Sequence, residues 1–316
     1  MNMTYWKERK VLVTGATGFI GSHLAKQLAG LGADVYAWSA SSNRLWRLDE
    51  AKQSIRLKTV DIRNLEEVRS ACAEASVDTV FHLAAYGVNY DERELGMAVD
   101  INVRGTVHLL EGLKETNCRR IVVTGTWAEY GAKDHPMKEE EPLEPVGVYG
   151  TSKATATTIA LKMASQDKLP VVILRPFSVY GPGEGDYKFV PTVIRSCMKK
   201  ESPRLTTCRQ IRDYLFVEDV VEAYLKAAET PIQTPAVVNI ASGRPIPLKE
   251  LVSAVTNHFP GIKPAFGAIP DRDNEIWRVE ADVTRARELL GWQPAVSLEQ
   301  GIEKTVAWFR NRYGNS

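Results

Sequence analysis

The stretch TGATGFIG, Thr14–Gly21, constrains this chain more than any other. It places glycines at 15, 18 and 21, directly after the apolar run VLVT and at the start of FIGSHLAKQLAG, where Ile20, Leu24 and Leu28 recur at helical spacing. A strand, a glycine loop and a helix N-terminus in that order make a phosphate-binding unit. Gly15 permits the tight turn, Gly18 lets the backbone approach a pyrophosphate, and Gly21 allows close packing of the helix. The first N–H groups of a helix have no partner inside it, so they face the phosphate charge. The sequence therefore predicts a dinucleotide site at the first β–α junction.

The next 160 residues repeat the pattern. DVYAWS, IRLKTVD, DTVFHLAA, RRIVVTG and LPVVILRP read as strands, apolar nearly throughout. Helical segments begin near Asn64, cover about 98–115, and run from Tyr149 through KATATTIALKMASQ. Such alternation predicts an α/β fold of the Rossmann type, a doubly wound parallel sheet covered on both faces. After Arg175 the texture changes to PFSVYGPGEGDYKF, rich in glycine, proline and aromatics, and then to short helices between irregular segments. The expected division is a dinucleotide-binding domain over 1–175, with 210–240 returning to it, and a smaller mixed region over 176–209 and 241–316.

Composition narrows the partners. Of the 316 residues, 44% are apolar and 25% charged, with 40 basic against 39 acidic, a net charge of +1. That balance predicts neither nucleic-acid binding nor attachment to an acidic membrane surface. No apolar run is long enough to span a bilayer, and MNMTYWKERK lacks the apolar core of a signal peptide. Cys72, Cys118, Cys197 and Cys208 lie far apart. A reduced, cytoplasmic protein without a metal site is the expectation.

Two further sites bear on chemistry. An acid about 20 residues beyond the glycines would bind the adenosine ribose of NAD. Eighteen residues beyond Gly21 stands Ser39 instead, within WSASSNRL, and the nearest acid is Asp49. Ser39, Ser41, Ser42 and Arg44 suit a 2′-phosphate, because a guanidinium pairs with two phosphate oxygens; Arg47 competes for the same anion. NADP(H) is accordingly favoured over NAD(H). Asp61, after the third strand, can accept from the adenine amine or form a turn in DIRN. Tyr149 and Lys153 in YGTSK share a helix face. An ammonium beside a phenol stabilises its phenolate, and such a phenol moves a proton while a nicotinamide moves a hydride. Thr124 and Thr126 end the preceding strand, where a hydroxyl can bond the reacting oxygen.

Taken together, TGATGFIG, Asp61, HLAA (His82–Ala85), INVRGT with Asn102, the threonine loop ending Tyr130-Gly131, YGTSK, RPFSVYGP, RDYLFVEDVV and PDRDNEIWRVEADVTRARELLGW resemble the extended short-chain dehydrogenase/reductase family. The resemblance is to its nucleotide-sugar epimerase, dehydratase and reductase branch and spans almost the whole chain. It implies that Tyr149 is the catalytic acid or base, that Lys153 lowers its pKa and bonds the nicotinamide ribose, and that Thr126 is the catalytic hydroxyl. It implies a cofactor site drawn from Gly15, Thr17, Gly18, Phe19, Ile20 and Gly21 in the first loop, and Ser39, Ser41 and Arg44 after the second strand. Asp61, Ile62, Leu83, Ala84, Ala85, Asn102, Thr124, Tyr149, Lys153 and Pro176 complete that set. Thr126, Trp127, Ser178, Arg212 and Arg272 are the implied substrate contacts, the two arginines holding a nucleotide diphosphate. A homodimer through a four-helix bundle is also implied.

The departures from the family pattern select among reactions. Dehydratases of this branch carry an acid one or two places after the threonine, where this chain has Trp127 and Ala128. Glu129 stands one place later. Ser178 replaces the usual substrate-binding asparagine, and Gly125 replaces a frequent serine. The sequence reading is thus an NADPH-dependent 4-ketoreductase acting on a nucleoside-diphosphate 4-keto-6-deoxy sugar. The alternative is an NAD-dependent nucleotide-sugar 4-epimerase; a 4,6-dehydratase and a catalytically degenerate nucleotide-binding protein rank lower.

Overall fold

The computed structural model describes residues 3–40, 45–89 and 91–314. Its frame is one sheet built from the predicted strands β1 (Lys10–Thr14), β2 (Asp34–Ser39), β3 (Ile55–Thr59), β4 (Thr79–His82), β5 (Arg120–Thr124) and β6 (Val171–Pro176), joined by Ala236–Ile240. The order is β3-β2-β1-β4-β5-β6, then Ala236–Ile240, and every pairing is parallel. This is the expected Rossmann-type sheet. Its order reverses between β1 and β4, which opens a crevice beyond the strand C-termini at that point.

Alternation along each strand sends neighbouring side chains to opposite faces. Val11 and Val13 join Leu24, Leu28, Val220 and Tyr224 under helices Phe19–Gly30 and Val217–Glu229. Leu12 joins Val80, Val123, Leu109 and Ala160 under helices Leu65–Ala75, Gly105–Leu113 and Gly147–Asp167 on the other face. β3 forms the open edge. Four of its five residues are exposed, and Arg56 and Lys58 there pair with Asp34 and Glu74, charges that discourage further strand pairing.

One predicted helix differs from its expected form. The segment 98–115 is helical from Leu95 to Ala98, widens into a π-turn over Val99–Arg104, and resumes as Gly105–Leu113. Beyond β6, Ser178–Tyr180 pairs in parallel with Tyr214–Phe216, and three two-residue strands form a small mixed sheet. Helices Phe189–Met198, Leu248–Thr256 and Leu298–Tyr313 enclose a third apolar cluster around Ile194, Phe216, Leu251 and Phe309.

The glycine loop is fixed by contact as much as by conformation. Gly15 has φ +66°, and a Cβ there would lie 2.7 Å from the Ala84 nitrogen. A Cβ on Gly21 would lie 2.3 Å from the Gly15 carbonyl oxygen. Gly21 therefore lets the helix close on the loop itself. Gly30, at the far end of the same helix, has open space around it. Gly21→Ala is expected to cost upwards of about 2 kcal/mol through overpacking. Gly30→Ala should gain about 0.5–1 kcal/mol by removing backbone freedom from the unfolded chain. Urea midpoints of the two variants moving in the same direction would refute this account.

Candidate active site

A cleft of about 960 Å³ lies over the strand ends at the switch point, within the range usual for cofactor and substrate pockets. One wall is the glycine loop with Phe19, Ile20, Ser39, Asp61, Ile62 and Leu83–Ala85. Another carries Thr124, Gly125, Thr126, Trp127, Tyr149 and Lys153, and a third carries Pro176, Ser178, Glu184, Lys188 and Tyr214. Gly18 caps the helix Phe19–Gly30 with no side-chain bond, so the first amides of that helix remain available to a diphosphate. Beneath the loop, His82 is buried between the hydroxyls of Thr14 (2.7 Å) and Thr106 (3.0 Å). Burial lowers its pKa to about 3, so the ring is neutral and acts as a strut.

The end of β2 carries no carboxylate. The Ser39 hydroxyl is buried and shares a 3.0 Å hydrogen bond with Thr17. Arg47, the competing anion contact, donates to the carbonyls of Gly183 (2.9 Å) and Thr17 (3.2 Å). Ser41, Ser42 and Arg44 lie outside the described residues. Asp61 reaches the cleft but its carboxylate is held by Arg63, which keeps its pKa below the usual value.

The threonine loop explains its own sequence. Thr126 caps a short 3₁₀ turn, Trp127–Glu129, and its hydroxyl accepts from the Ala128 amide at 3.3 Å while Glu129 reaches back to the Thr126 amide at 2.9 Å. This is a capping box, T-x-x-E. It turns Trp127 toward the cleft and Glu129 into the protein. Helix Gly147–Asp167 begins two residues before Tyr149 and brings Tyr149 and Lys153 to the cleft. Burial pushes the Tyr149 pKa up to about 12, Glu129 adds to the rise, and the nearby Thr126 hydroxyl opposes it. The expected depression by Lys153 is not found: burial and Glu129 raise the phenol, and Thr126 opposes them. Lys153 is itself 2% exposed, and burial brings its pKa down to about 8 against an opposing pull from Glu129. Near neutrality the phenol thus carries its proton and the amine is largely charged.

Glu129, fully buried, is the part that sequence reasoning did not place. Its second oxygen accepts from Arg175 Nε at 2.8 Å and from the Thr157 hydroxyl at 2.8 Å. Arg175 also donates to the Tyr130 hydroxyl at 2.7 Å, and Tyr130 donates to Asn239 Oδ1 at 2.7 Å. The chain of contacts links β5, β6, Ala236–Ile240 and the helix of Tyr149 and Lys153. A Cβ on Gly125 would lie 2.7 Å from the Glu129 carboxylate, so the serine frequent at that position does not fit here. The readable signal was the capping-box spacing from Thr126 to Glu129.

Other expected residues separate into two groups. Ser178, Thr124 and Trp127 line the cleft, and Thr124 accepts from the Tyr224 hydroxyl at 2.8 Å. Asn102, by contrast, is buried in the π-turn, where it accepts from the Tyr86 amide and donates to the Tyr86 carbonyl and the Ser152 hydroxyl. It clamps the loop after β4 to the helix of Tyr149 and does not line the cleft. Arg212 and Arg272 also fall outside its wall: Arg212 pairs with Glu275 at 2.9 Å, and Arg272 is exposed.

Fold and cleft together define a dinucleotide-binding Rossmann enzyme. The NAD dependent epimerase/dehydratase family matches residues 11–241, and the chain belongs to that family. It is 31% identical to the UDP-glucose 4-epimerase of Mycolicibacterium smegmatis over 96% of this chain and 99% of the relative. The structure of a Thermotoga maritima UDP-glucose 4-epimerase with UDP-glucose superposes with a TM-score of 0.87, at 28% identity, covering 96% of this chain and 99% of that one. The structure of MoeE5 in complex with UDP-glucuronic acid and NAD gives 0.84 at 31% identity, with the same coverage. No helix among the described residues is long and apolar enough to cross a membrane.

The buried network and the buried amine each make a measurable demand. Arg175→Met strands the Glu129 carboxylate and is expected to cost about 3–5 kcal/mol, read as a fall in urea midpoint; a loss under 1 kcal/mol would contradict the network's role. Lys153 contributes a pH dependence of known sign. Between about 8 and the ordinary lysine value of about 10.4, the unfolded chain holds a proton that the folded chain has released. Stability from this group therefore rises with pH across that window and is flat below it. The stability gap between wild type and Lys153→Met should move by roughly 3 kcal/mol between pH 7.5 and 10.5, with wild type gaining; a constant gap would refute the shift.

Proposed function

We propose that the protein is an NAD-dependent nucleotide-sugar 4-epimerase. One observation carries the reading: Thr126, Tyr149 and Lys153 share a cleft in which no carboxylate stands at 127 or 128, and Glu129 is locked in an ion pair beneath it. Proton movement at a sugar oxygen is thereby supported, while the loop acid that dehydratases of this branch carry is missing. Relatives named as 4-epimerases across nearly the full chain lend it weight. This displaces 4-ketoreduction from first place.

The glycine loop and the helix N-terminus would hold the dinucleotide diphosphate, and the bound cofactor would accept and return the hydride at C4 of the sugar. Thr126 orients the C4 oxygen through its hydroxyl. Tyr149 takes the proton of that oxygen in the oxidative half and gives it back in the reductive half, so the balance of protons closes over a turnover. The Lys153 ammonium stabilises the phenolate that the oxidative half requires. Trp127, turned to the cleft, bounds the sugar's space.

The second reading, an NADPH-dependent 4-ketoreductase of nucleoside-diphosphate 4-keto-6-deoxy sugars, keeps one specific support: Ser39 in place of a ribose-binding acid. Denaturing the purified protein and weighing the released dinucleotide separates the two. Near-stoichiometric NAD is expected, and turnover of a nucleoside-diphosphate hexose to its C4 epimer without added cofactor. Exchangeable NADP(H) consumed with a 4-keto sugar would instead favour the reductase. Tyr149→Phe should cut turnover by at least about 10²-fold, the lower range for a general acid–base, with cofactor content unchanged. Wild-type activity in that variant would remove Tyr149 from the mechanism.

A further inference from the structure

One side chain in the cleft is used by nothing described so far. Glu184 lies on the third wall, 8% exposed, and its Oε2 is buried without a hydrogen-bond partner. Buried polar oxygens are nearly always bonded, and an orphan at a ligand site points to the ligand. The segment is held from both sides: His23 bonds the Pro182 carbonyl at 2.7 Å, Arg47 bonds the Gly183 carbonyl at 2.9 Å, and Lys188 donates to the Val88 carbonyl at 2.9 Å. The backbone beside Glu184 is therefore held in place, and one of its carboxyl oxygens is left unsatisfied. Lys188 is near enough to act on its charge. Burial pushes the Glu184 pKa up to about 8, against the opposing influence of Lys188, and Tyr214 on the same wall feels its charge.

We propose that Glu184 is a specificity-determining residue whose carboxyl binds a ring hydroxyl of the sugar in the nucleotide-sugar substrate. The inference rests on the nucleotide-sugar reading above. A hydroxyl both donates and accepts, so it satisfies the carboxyl in either protonation state. A diphosphate offers acceptors only and would repel the ionised form. The neighbours also favour the sugar, because Glu184 lines the cleft with Ser178, an expected substrate contact, and its charge acts on Tyr214. A site that bonds a hydroxyl rejects the analogue lacking it more strongly than an apolar pocket rejects extra bulk, since the buried group is then left unpaired.

Calorimetric titration of the purified protein tests this, with its dinucleotide retained. The probes are the glucose-linked and the sugar-free diphosphates of uridine, deoxythymidine, guanosine and cytidine. For whichever pair wild type binds, Glu184→Leu is expected to weaken the sugar-linked ligand at least tenfold and the bare diphosphate less than twofold. Glu184→Gln, which keeps a donor and an acceptor, should stay within about threefold of wild type. Glu184→Met provides a second apolar variant should leucine not fold. Equal losses for both ligands, no loss for either, or loss of bound dinucleotide would each overturn the assignment while leaving the proposed function standing. Failure of wild type to bind any of the eight ligands would overturn the nucleotide-sugar reading itself.

Discussion

The ion pair between Glu129 and Arg175 lies under everything the cleft presents. Both side chains are essentially inaccessible to water, where an unpaired charge is costly and a paired one must be held by further hydrogen bonds. Here each oxygen of Glu129 is used: one by the Thr126 amide, the other by Arg175 and Thr157. Those partners sit on the loop after β5, on β6 and on the helix of Tyr149 and Lys153. The pair thus ties the cleft-lining Thr126 to the helix that brings Tyr149. It also accounts for Gly125, whose missing side chain leaves room for the carboxylate.

The same charge reaches the site electrostatically. Glu129 supports the charged form of Lys153 and opposes ionisation of Tyr149. Desolvation dominates both groups, bringing amine and phenol to about 8 and about 12. Both values lie above neutrality, so both groups keep their protons at pH 7: the phenol holds a neutral O–H and the amine holds the charge. Dehydratases of this branch carry their acid in the loop after the threonine. The capping box leaves none free there, because Glu129 is spent on the backbone and on Arg175.

Much of this was legible in the chain itself. Six strands, their parallel sheet, the glycine loop and the helix face shared by Tyr149 and Lys153 follow from local patterns: apolar runs, glycines at a strand end, and an i, i+4 pair on one helix. These features are written within a few residues and need no distant partner to be read. Asn102 was assigned to the cofactor by resemblance; the π-turn around it, which a periodicity of 3.6 residues does not reveal, holds its side chain on Tyr86 and Ser152. Arg212 drew attention as a phosphate ligand, yet its charge is met by Glu275, 63 residues away. Glu129 was dismissed for its spacing from Thr126, although that spacing is the signature of the cap that buries it.

The least legible wall is the one that chooses the substrate, and the cause is physical. Residues around the dinucleotide are set by a loop whose backbone allows one arrangement, so sequence and geometry coincide there. The part of the cleft formed by Ser178, the segment around Glu184 and Tyr214 is assembled through contacts between separate elements. His23 and Arg47 bond to Pro182 and Gly183 across 159 and 136 residues of chain. No short pattern encodes such a meeting. Substrate choice can therefore change through single substitutions on that wall while the sheet, the glycine loop and the Glu129–Arg175 pair stay as they are, which is how one site plan can serve several reactions of the family.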